Sequence, residues 1–324
     1  MRAAVCPAYG PPEVVVIEER PDPVVDVGQA LVRVEAAAVN FPDVLLIANE
    51  YQISVPPPFV PGSEFAGVIE QLGAQTSGFS VGDRVTGTGM FGAFAERVAV
   101  PTASLARIPE GVDSATAAAF GVGHRTAYHT LRSPARVSSG DELIVLGAGG
   151  GVGLAAVQLG VALGARVTAV ASSREKLDVA RGYGATNLIN HLDGDLRAAL
   201  RSALPDGADA VVDPVGGELS EPALRTLRRG GRFVTIGYAS GVIPRIPLNL
   251  VLVKGIQILG FQFQDIPADD FARNEVELQG LLTTGRVAPH VGASFRLEET
   301  ALALRHVADG RAIGKVLIDV SWRG

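Results

Sequence analysis

Short runs in which apolar and polar side chains alternate fill the first hundred positions: Leu31-Val-Arg-Val-Glu35, Phe65-Ala-Gly-Val-Ile69 and Phe94-Ala-Glu-Arg-Val-Ala-Val100. Alternation of this kind predicts half-buried antiparallel strands. Val55-Pro-Pro-Pro-Phe59 reads as a loop, and Gly82-Asp83 turns the chain into a further strand, Arg84-Val-Thr-Gly87. From Asp141 the texture changes to apolar strands alternating with helix-length segments. The strands are Leu143–Leu146, Arg166–Ala171, Asp209–Asp213 and Arg232–Ile236, and the helices between them are Val152–Gly164, Arg174–Gly182 and Glu218–Arg229. Repeated β-α-β predicts a doubly wound parallel sheet covered on both faces. Two more helices, Ala268–Leu282 and Glu298–Asp309, precede a last strand, Lys315–Asp319. The expected plan is α/β: a β-rich domain over 1–122, a parallel-sheet domain inserted over 123–263, and a tail over 264–324 that packs back on the first domain.

Composition narrows the class. With 47% hydrophobic and 19% charged residues, 39 Gly and 20 Pro, the chain is neither disordered nor fibrous. Its net charge of −6 has no basic run within it, which disfavours nucleic acid or an acidic membrane as partner. The lone Cys6 cannot form an intramolecular disulfide and no secretory pattern opens the chain, so a reducing cytoplasm is the expected compartment. The stretch Leu143–Ala165 is long enough to span a bilayer and has Gln158 as its only polar residue, but its seven glycines predict strand, turn and helix instead.

Five of those glycines crowd between Gly147 and Gly153. Gly147, Gly150 and Gly153 recur at intervals of three between an apolar strand and a helix, and Gly151 and Val152 are expected to join them in binding the cofactor. Glycines there let the strand turn sharply and let the backbone approach a pyrophosphate, which the free N–H groups of the helix start attract. The expectation is a dinucleotide. At the end of the second strand, where NAD binding calls for Asp or Glu on the ribose 2′-hydroxyl, this chain has Ser172. Ser173, Arg174 and Lys176 follow, supplying hydroxyls and cations suited to the 2′-phosphate of NADPH. Alternatively the two cations solvate a helix turn, a placement the helix dipole opposes.

Catalytic zinc needs about three Cys, His or carboxylate ligands. One Cys and five His, with no CxxC or HxxxH, make a poor inventory. His124 and His129 would project about 140° apart on a helix and are expected to pack or to lie on the surface. No metal is expected.

Together with the glycine loop, Asn40-Phe-Pro-Asp43, Pro61-Gly-Ser-Glu-Phe-Ala-Gly67, Val81-Gly-Asp-Arg-Val85, Thr126-Ala-Tyr128, Asp213-Pro-Val-Gly-Gly217 and Gly314-Lys-Val-Leu317 resemble the medium-chain dehydrogenase/reductase superfamily. The likeness covers essentially the whole chain and is to its zinc-independent, zeta-crystallin-like quinone oxidoreductase branch. Zinc-dependent relatives have cysteine in place of Asn40, histidine in place of Ser63 and a four-cysteine lobe, all absent here. The resemblance implies a GroES-like β domain, a Rossmann domain, catalysis in the cleft between them, and a homodimer joined through Rossmann edge strands, here Gly255-Ile-Gln-Ile-Leu-Gly260. It maps Asn40, Asp43 and Tyr51 onto cleft residues and Thr126 onto a residue near the nicotinamide. It also maps Lys176 and His191 onto a Lys and a Tyr that hold the 2′-phosphate. Ile47 stands where many members have arginine. Gly237, Phe261 and Lys315 complete the expected cofactor contacts.

The implied reaction is hydride transfer from NADPH to a quinone or α,β-unsaturated carbonyl, with the oxyanion stabilised by hydrogen-bond donors. Asn40 and Tyr51 are the candidate donors, and the final proton comes from Tyr51 or water. Asp43 either orients them or caps a helix after Pro42. Phe41, Phe261 and Phe263 form either a substrate wall or core, and Lys315 either reaches the cofactor or solvates its strand. Two other activities fit the sequence: an enoyl-thioester reductase, which needs a basic patch for a phosphorylated acyl carrier, and a noncatalytic NADPH-binding protein.

Overall fold

The computed structural model describes residues 1–321. Its contacts divide the chain into two units, Met1–Val122 with Pro289 onward, and Gly123–Ala288.

The first unit runs β1 (Arg2–Val5), β2 (Val16–Glu19), β3 (Gln29–Val39), α1 (Phe41–Ala48), β4 (Glu64–Leu72), β5 (Arg84–Thr88), β6 (Arg97–Pro101) and β7 (Leu105–Arg107). Then α2 (Ser114–Arg132) leads out of it. β3 is the hub of a seven-stranded sheet in the order β14-β15-β3-β4-β5-β7, with β6 also paired to β3. Phe65, Phe94, Leu46, Ile47 and Ile318 fill the core behind it, each worth roughly 1.5–3 kcal/mol relative to exposure. Leu46 and Ile47 are 2% and 0% exposed. Ile47, where the resemblance leads one to expect arginine, is therefore core in this protein. The strand expected over Phe94–Val100 begins only at Arg97, because Phe94 turns wholly into the core.

The second unit alternates strand and helix: β8 (Glu142–Leu146), α3 (Gly151–Ala162), β9 (Arg166–Ala171), α4 (Arg174–Gly182), β10 (Asn187–Asn190), α5 (Leu196–Ala203), β11 (Ala208–Asp213), α6 (Ser220–Thr226), β12 (Leu227–Thr235), α7 (Asn249–Lys254), β13 (Gln257–Gly260) and α8 (Ala268–Thr283). Its six strands are parallel in the order β10-β9-β8-β11-β12-β13. The strand order reverses between β8 and β11, the switch point outside which open α/β sheets bind ligands. The helix expected over Glu218–Arg229 stops at Thr226, since Leu227 is wholly buried as the start of β12 and Gly230 adopts a φ of 77°.

The chain returns to the first unit as β14 (Val291–Arg296), α9 (Thr300–Ala308) and β15 (Lys315–Asp319). This return starts at Pro289, not at 264 as expected. The reason is α8. Its Glu275 accepts from Arg125 Nε at 2.9 Å and lies 2.7 Å from His129 Nε2, while Glu277 accepts from the Tyr128 hydroxyl at 2.7 Å. Apolar periodicity reveals such a helix but not the charged face that docks it. Among the described residues no helix is long and apolar enough to cross a membrane.

Candidate functional site

At the end of β8 the three spaced glycines meet different demands. Gly147 takes a φ of 61°, and a Cβ there would lie 2.6 Å from Val215 Cγ2. A Cβ on Gly153 would run into the carbonyl oxygen of Gly147, so the helix packs on the loop only without a side chain. Gly150 precedes α3 with φ −85° and ψ 175°, and a Cβ there would meet nothing closer than 3.6 Å. Neither the backbone nor a protein neighbour requires glycine at 150. Beside it lies the first turn of α3, where the N–H groups of Gly151, Val152 and Gly153 have no acceptor within the helix. Val215 is held in place by Asp213, whose Oδ1 accepts from the N–H groups of Val215 and Gly216, both at 2.8 Å. Gly237, next to Pro214, joins this end of the sheet.

Ser172 follows β9, and Lys176 donates to its Oγ at 3.2 Å. The Lys176 stem lies against the glycine loop: a Cβ on Gly149 would come within 2.6 Å of it. Burial lowers the Lys176 pKa despite the attraction of Glu175, and burial with the Lys176 cation lowers that of His191. Ser172, Lys176 and His191 therefore share one cationic corner beside the loop. Ser173 caps α4, its Oγ accepting from the Lys176 N–H at 3.3 Å. The Arg174 side chain is 88% exposed and faces Asp178. Of the expected cation pair, Lys176 lies against the glycine loop and Arg174 extends into solvent.

In the first unit a second cluster forms. Lys315 donates to Asn40 Oδ1 and to Glu64 Oε1, each at 2.6 Å, and to the Val39 carbonyl at 3.4 Å. Asn40 Nδ2 in turn donates to Glu64 Oε1 at 2.8 Å and to Ser63 Oγ at 3.1 Å. Both amide hydrogens of Asn40 are engaged, which removes it as an oxyanion donor. Lys315 is 3% exposed and its three donors have acceptors. It does not solvate its strand. Asp43 accepts from the Asn40 backbone N–H at 2.7 Å, the capping arrangement at the start of α1. Complete burial pushes its carboxyl up to about 7, against the hydrogen bonds from Asn40 and Ser63 and the Lys315 charge. Tyr51 packs on the core of this unit and remains partly exposed; among the described residues no hydrogen bond links it to Asn40 or Asp43.

The remaining expected residues stand on other elements. Thr126 is buried in α2, its carbonyl accepting from Thr130 Oγ1 at 2.7 Å. Phe261 is 8% exposed and packs edge-on against Phe263, 5.0 Å between centroids, as a core side chain. His129 is buried and stacked on Phe271. Among the described residues no group of three His, Cys, Asp or Glu could hold a metal ion. Sequence reasoning assigned no role to Glu64. Its signal was a carboxylate opening an apolar strand, matched by Lys315 opening another.

Two family models match the chain, the alcohol dehydrogenase GroES-like domain over residues 26–110 and the zinc-binding dehydrogenase over residues 151–278. A quinone oxidoreductase-like protein 2 from Rattus norvegicus is 35% identical over 326 residues, covering 98% of this chain and 92% of the relative. A solved NAD-dependent alcohol dehydrogenase is 30% identical with a TM-score of 0.90, over 99% of this chain and 100% of that one. A mycobacterial protein solved in complex with NADPH is 27% identical with a TM-score of 0.90, over 99% and 100% of the two chains.

Proposed function

Because this chain belongs to the medium-chain dehydrogenase/reductase superfamily, with quinone oxidoreductase-like proteins among its relatives, we propose that it is a zinc-independent, NADPH-dependent reductase. Its acceptor is a quinone or an α,β-unsaturated carbonyl. The observation that carries this reading is the corner formed by Ser172, Lys176 and His191, where the hydroxyl and ammonium suit an extra phosphate and a carboxylate would repel it.

The residues fit the dinucleotide. Gly150 leaves the first turn of α3 open, that turn presents N–H groups for a pyrophosphate, and Lys176 supplies a cation beside the loop. When bound, NADPH supplies the hydride. The chain supplies position and charge: Gly147 and Gly153 set the loop against the helix, Ser172 and Lys176 receive the 2′-phosphate, and Gly237 with Val215 shapes the strand ends. In the first unit Lys315, Glu64 and Ser63 hold the Asn40 amide in one orientation. Tyr51 is left as the side-chain proton donor of this unit, with water the alternative source.

One family model carries zinc in its name, yet this chain's donor set suits none: a single cysteine, buried Cys6, and a buried His129 committed to Glu275. An unpaired cysteine also suits a reducing cytoplasm. β13 closes one edge of the parallel sheet with Ile258 38% exposed, and we assign that edge to a homodimer contact.

The test follows NADPH and NADH consumption by chelator-treated protein offered ortho- and para-quinones, 2-alkenals and enoyl-CoA thioesters. NADPH-dependent turnover of quinones or enals that survives chelation is the expected result. Binding without turnover across the panel, or turnover confined to the thioesters, would replace this reading.

A further inference from the structure

A set of cations gathers on one flank of the second unit, well separated in sequence from the glycine loop. Arg197 and Arg201 lie one turn apart on α5, Arg225 lies on α6, Arg245 lies between β12 and α7, and Lys254 ends α7. Burial and then repulsion from Arg197, Arg225 and Arg201 lower the pKa of the Lys254 ammonium. Such crowding is unexpected in a chain of net charge −6. Like charges spaced i, i+4 on a helix destabilise it, and a cation in the first turn, where Arg197 stands, opposes the helix dipole.

Internal partners relieve only part of this. Arg225 pairs with Glu221 at 2.6 Å, and Lys254 donates to the carbonyls of Arg225 and Leu227 at 2.6 and 2.8 Å. Among the described residues, no acceptor or carboxylate engages the guanidinium of Arg197 or of Arg245. Both residues, with Arg225, line a cavity of about 500 Å³. Three acids share it. Glu221 is paired with Arg225, and Asp195 caps α5 through the N–H groups of Arg197 and Ala198 while keeping its charge, so Asp195 and Glu218 share the cavity with the Arg197 and Arg245 guanidiniums and engage neither. The remaining wall is apolar: Val242, 56% exposed, Ile243, 71% exposed, and Pro244.

Guanidinium forks match phosphate oxygens in pairs, and apolar side chains left open beside them offer a surface for a nonpolar or planar group. We propose that this cavity binds a phosphorylated organic anion, its phosphoryl group held by Arg197 and Arg245 and its apolar portion on Val242, Ile243 and Pro244. The ligand is additional to the dinucleotide: neither the spaced glycines nor Ser172, Lys176 or His191 line the cavity. The inference does not depend on the reductase reading, because it concerns binding alone.

Isothermal titration of the full chain with coenzyme A and with inorganic pyrophosphate, each without and with saturating NADPH, tests it. Coenzyme A should bind in both conditions, at least tenfold more tightly than pyrophosphate. The Arg197→Ala/Arg245→Ala double variant should lose at least tenfold in coenzyme A affinity while its NADPH affinity stays within twofold. Both side chains are exposed, and an unchanged melting temperature together with partial recovery in Arg197→Lys/Arg245→Lys shows that the fold survives. No binding of coenzyme A, equal affinity for pyrophosphate, complete competition by NADPH, or an equal loss of NADPH affinity in the double variant would each overturn the proposal. If NADPH itself failed to bind, the reductase reading would fall and this one would still be decided by the titrations without NADPH.

Discussion

Lys315 in the first unit and Lys176 in the second each sit beside a residue expected to touch cofactor or substrate, and their surroundings differ in kind. Lys315 is 3% exposed and its charge is met within the unit by Glu64, with Asn40 and the Val39 carbonyl taking its other donors. Lys176 rests against the glycine loop, donates to a neutral serine hydroxyl, and has its ammonium pKa lowered by burial. A charge neutralised by its own protein ties strands together. Lys176 stands half-buried beside the first turn of α3, the position from which we propose that it meets an anion. The sequence maps Lys176 onto a phosphate-holding lysine and leaves Lys315 between cofactor and solvent, and their partners separate the two.

The largest effect that would break this contrast comes from the buried pair. Lys315→Met strands the Glu64 carboxylate and should cost on the order of 3–5 kcal/mol in the first unit's unfolding transition, and adding Glu64→Gln should recover much of it. Chemical denaturation read by tryptophan-independent probes such as amide exchange on β3 and β4 checks this; a loss below about 1 kcal/mol would mean that the pair is not holding the strands.

The glycines come next. Gly153→Ala should destabilise the second unit, because the new methyl meets the Gly147 carbonyl, whereas Gly150→Ala should leave stability within about 1 kcal/mol. Gly150→Ala should nevertheless weaken NADPH at least tenfold. Equal stability losses in the two variants would remove the case for a ligand at 150.

Asp43 gives a pH signature. Its carboxyl is raised from 3.8 to about 7 in the folded chain by burial, so between those values the native state holds a proton that the unfolded state has lost. Stability therefore falls as pH rises through this window and levels off above it. Asp43→Asn should flatten that slope in thermal melts from pH 4 to 8; a slope unchanged in the variant would assign it to other groups.

The smallest effect belongs to Arg174→Ala. With its side chain 88% exposed and facing Asp178, the variant should change NADPH affinity less than threefold and leave the melting temperature unchanged. A loss matching that of Lys176→Ala would return Arg174 to the 2′-phosphate.

Much of the second unit was legible because its signals are local. Its strand Arg166–Ala171 and helix Arg174–Gly182 fall where the apolar pattern puts them, as does the strand Lys315–Asp319 of the first unit, and the glycine spacing announced the turn after β8. What stayed hidden depended on contacts distant in sequence. Glu64 and Lys315 lie 251 positions apart and meet because β4 and β15 flank β3 from opposite sides. Asn40 reads as an available amide until Glu64 and Ser63 take its hydrogens and Lys315 donates to its oxygen. The docking of α8 through Glu275 and Glu277 was hidden for the same reason: a charged helix face looks like a solvated one until its arginine, histidine and tyrosine partners are found. The α5 and α6 arginines likewise form a patch only when the fold brings their helices together.

The central claim is that the second unit reads the extra phosphate of NADPH through Lys176. Its most direct test is the ratio of NADPH to NADH dissociation constants for the wild-type chain and for Lys176→Ala, measured by nicotinamide fluorescence. Wild-type protein should favour NADPH by at least tenfold, and the variant should lose about 1.5–3 kcal/mol of binding to NADPH alone, the worth of a hydrogen bond to a charged group. Equal affinity for the two dinucleotides in the wild type, or a Lys176→Ala loss shared equally by both, would contradict it.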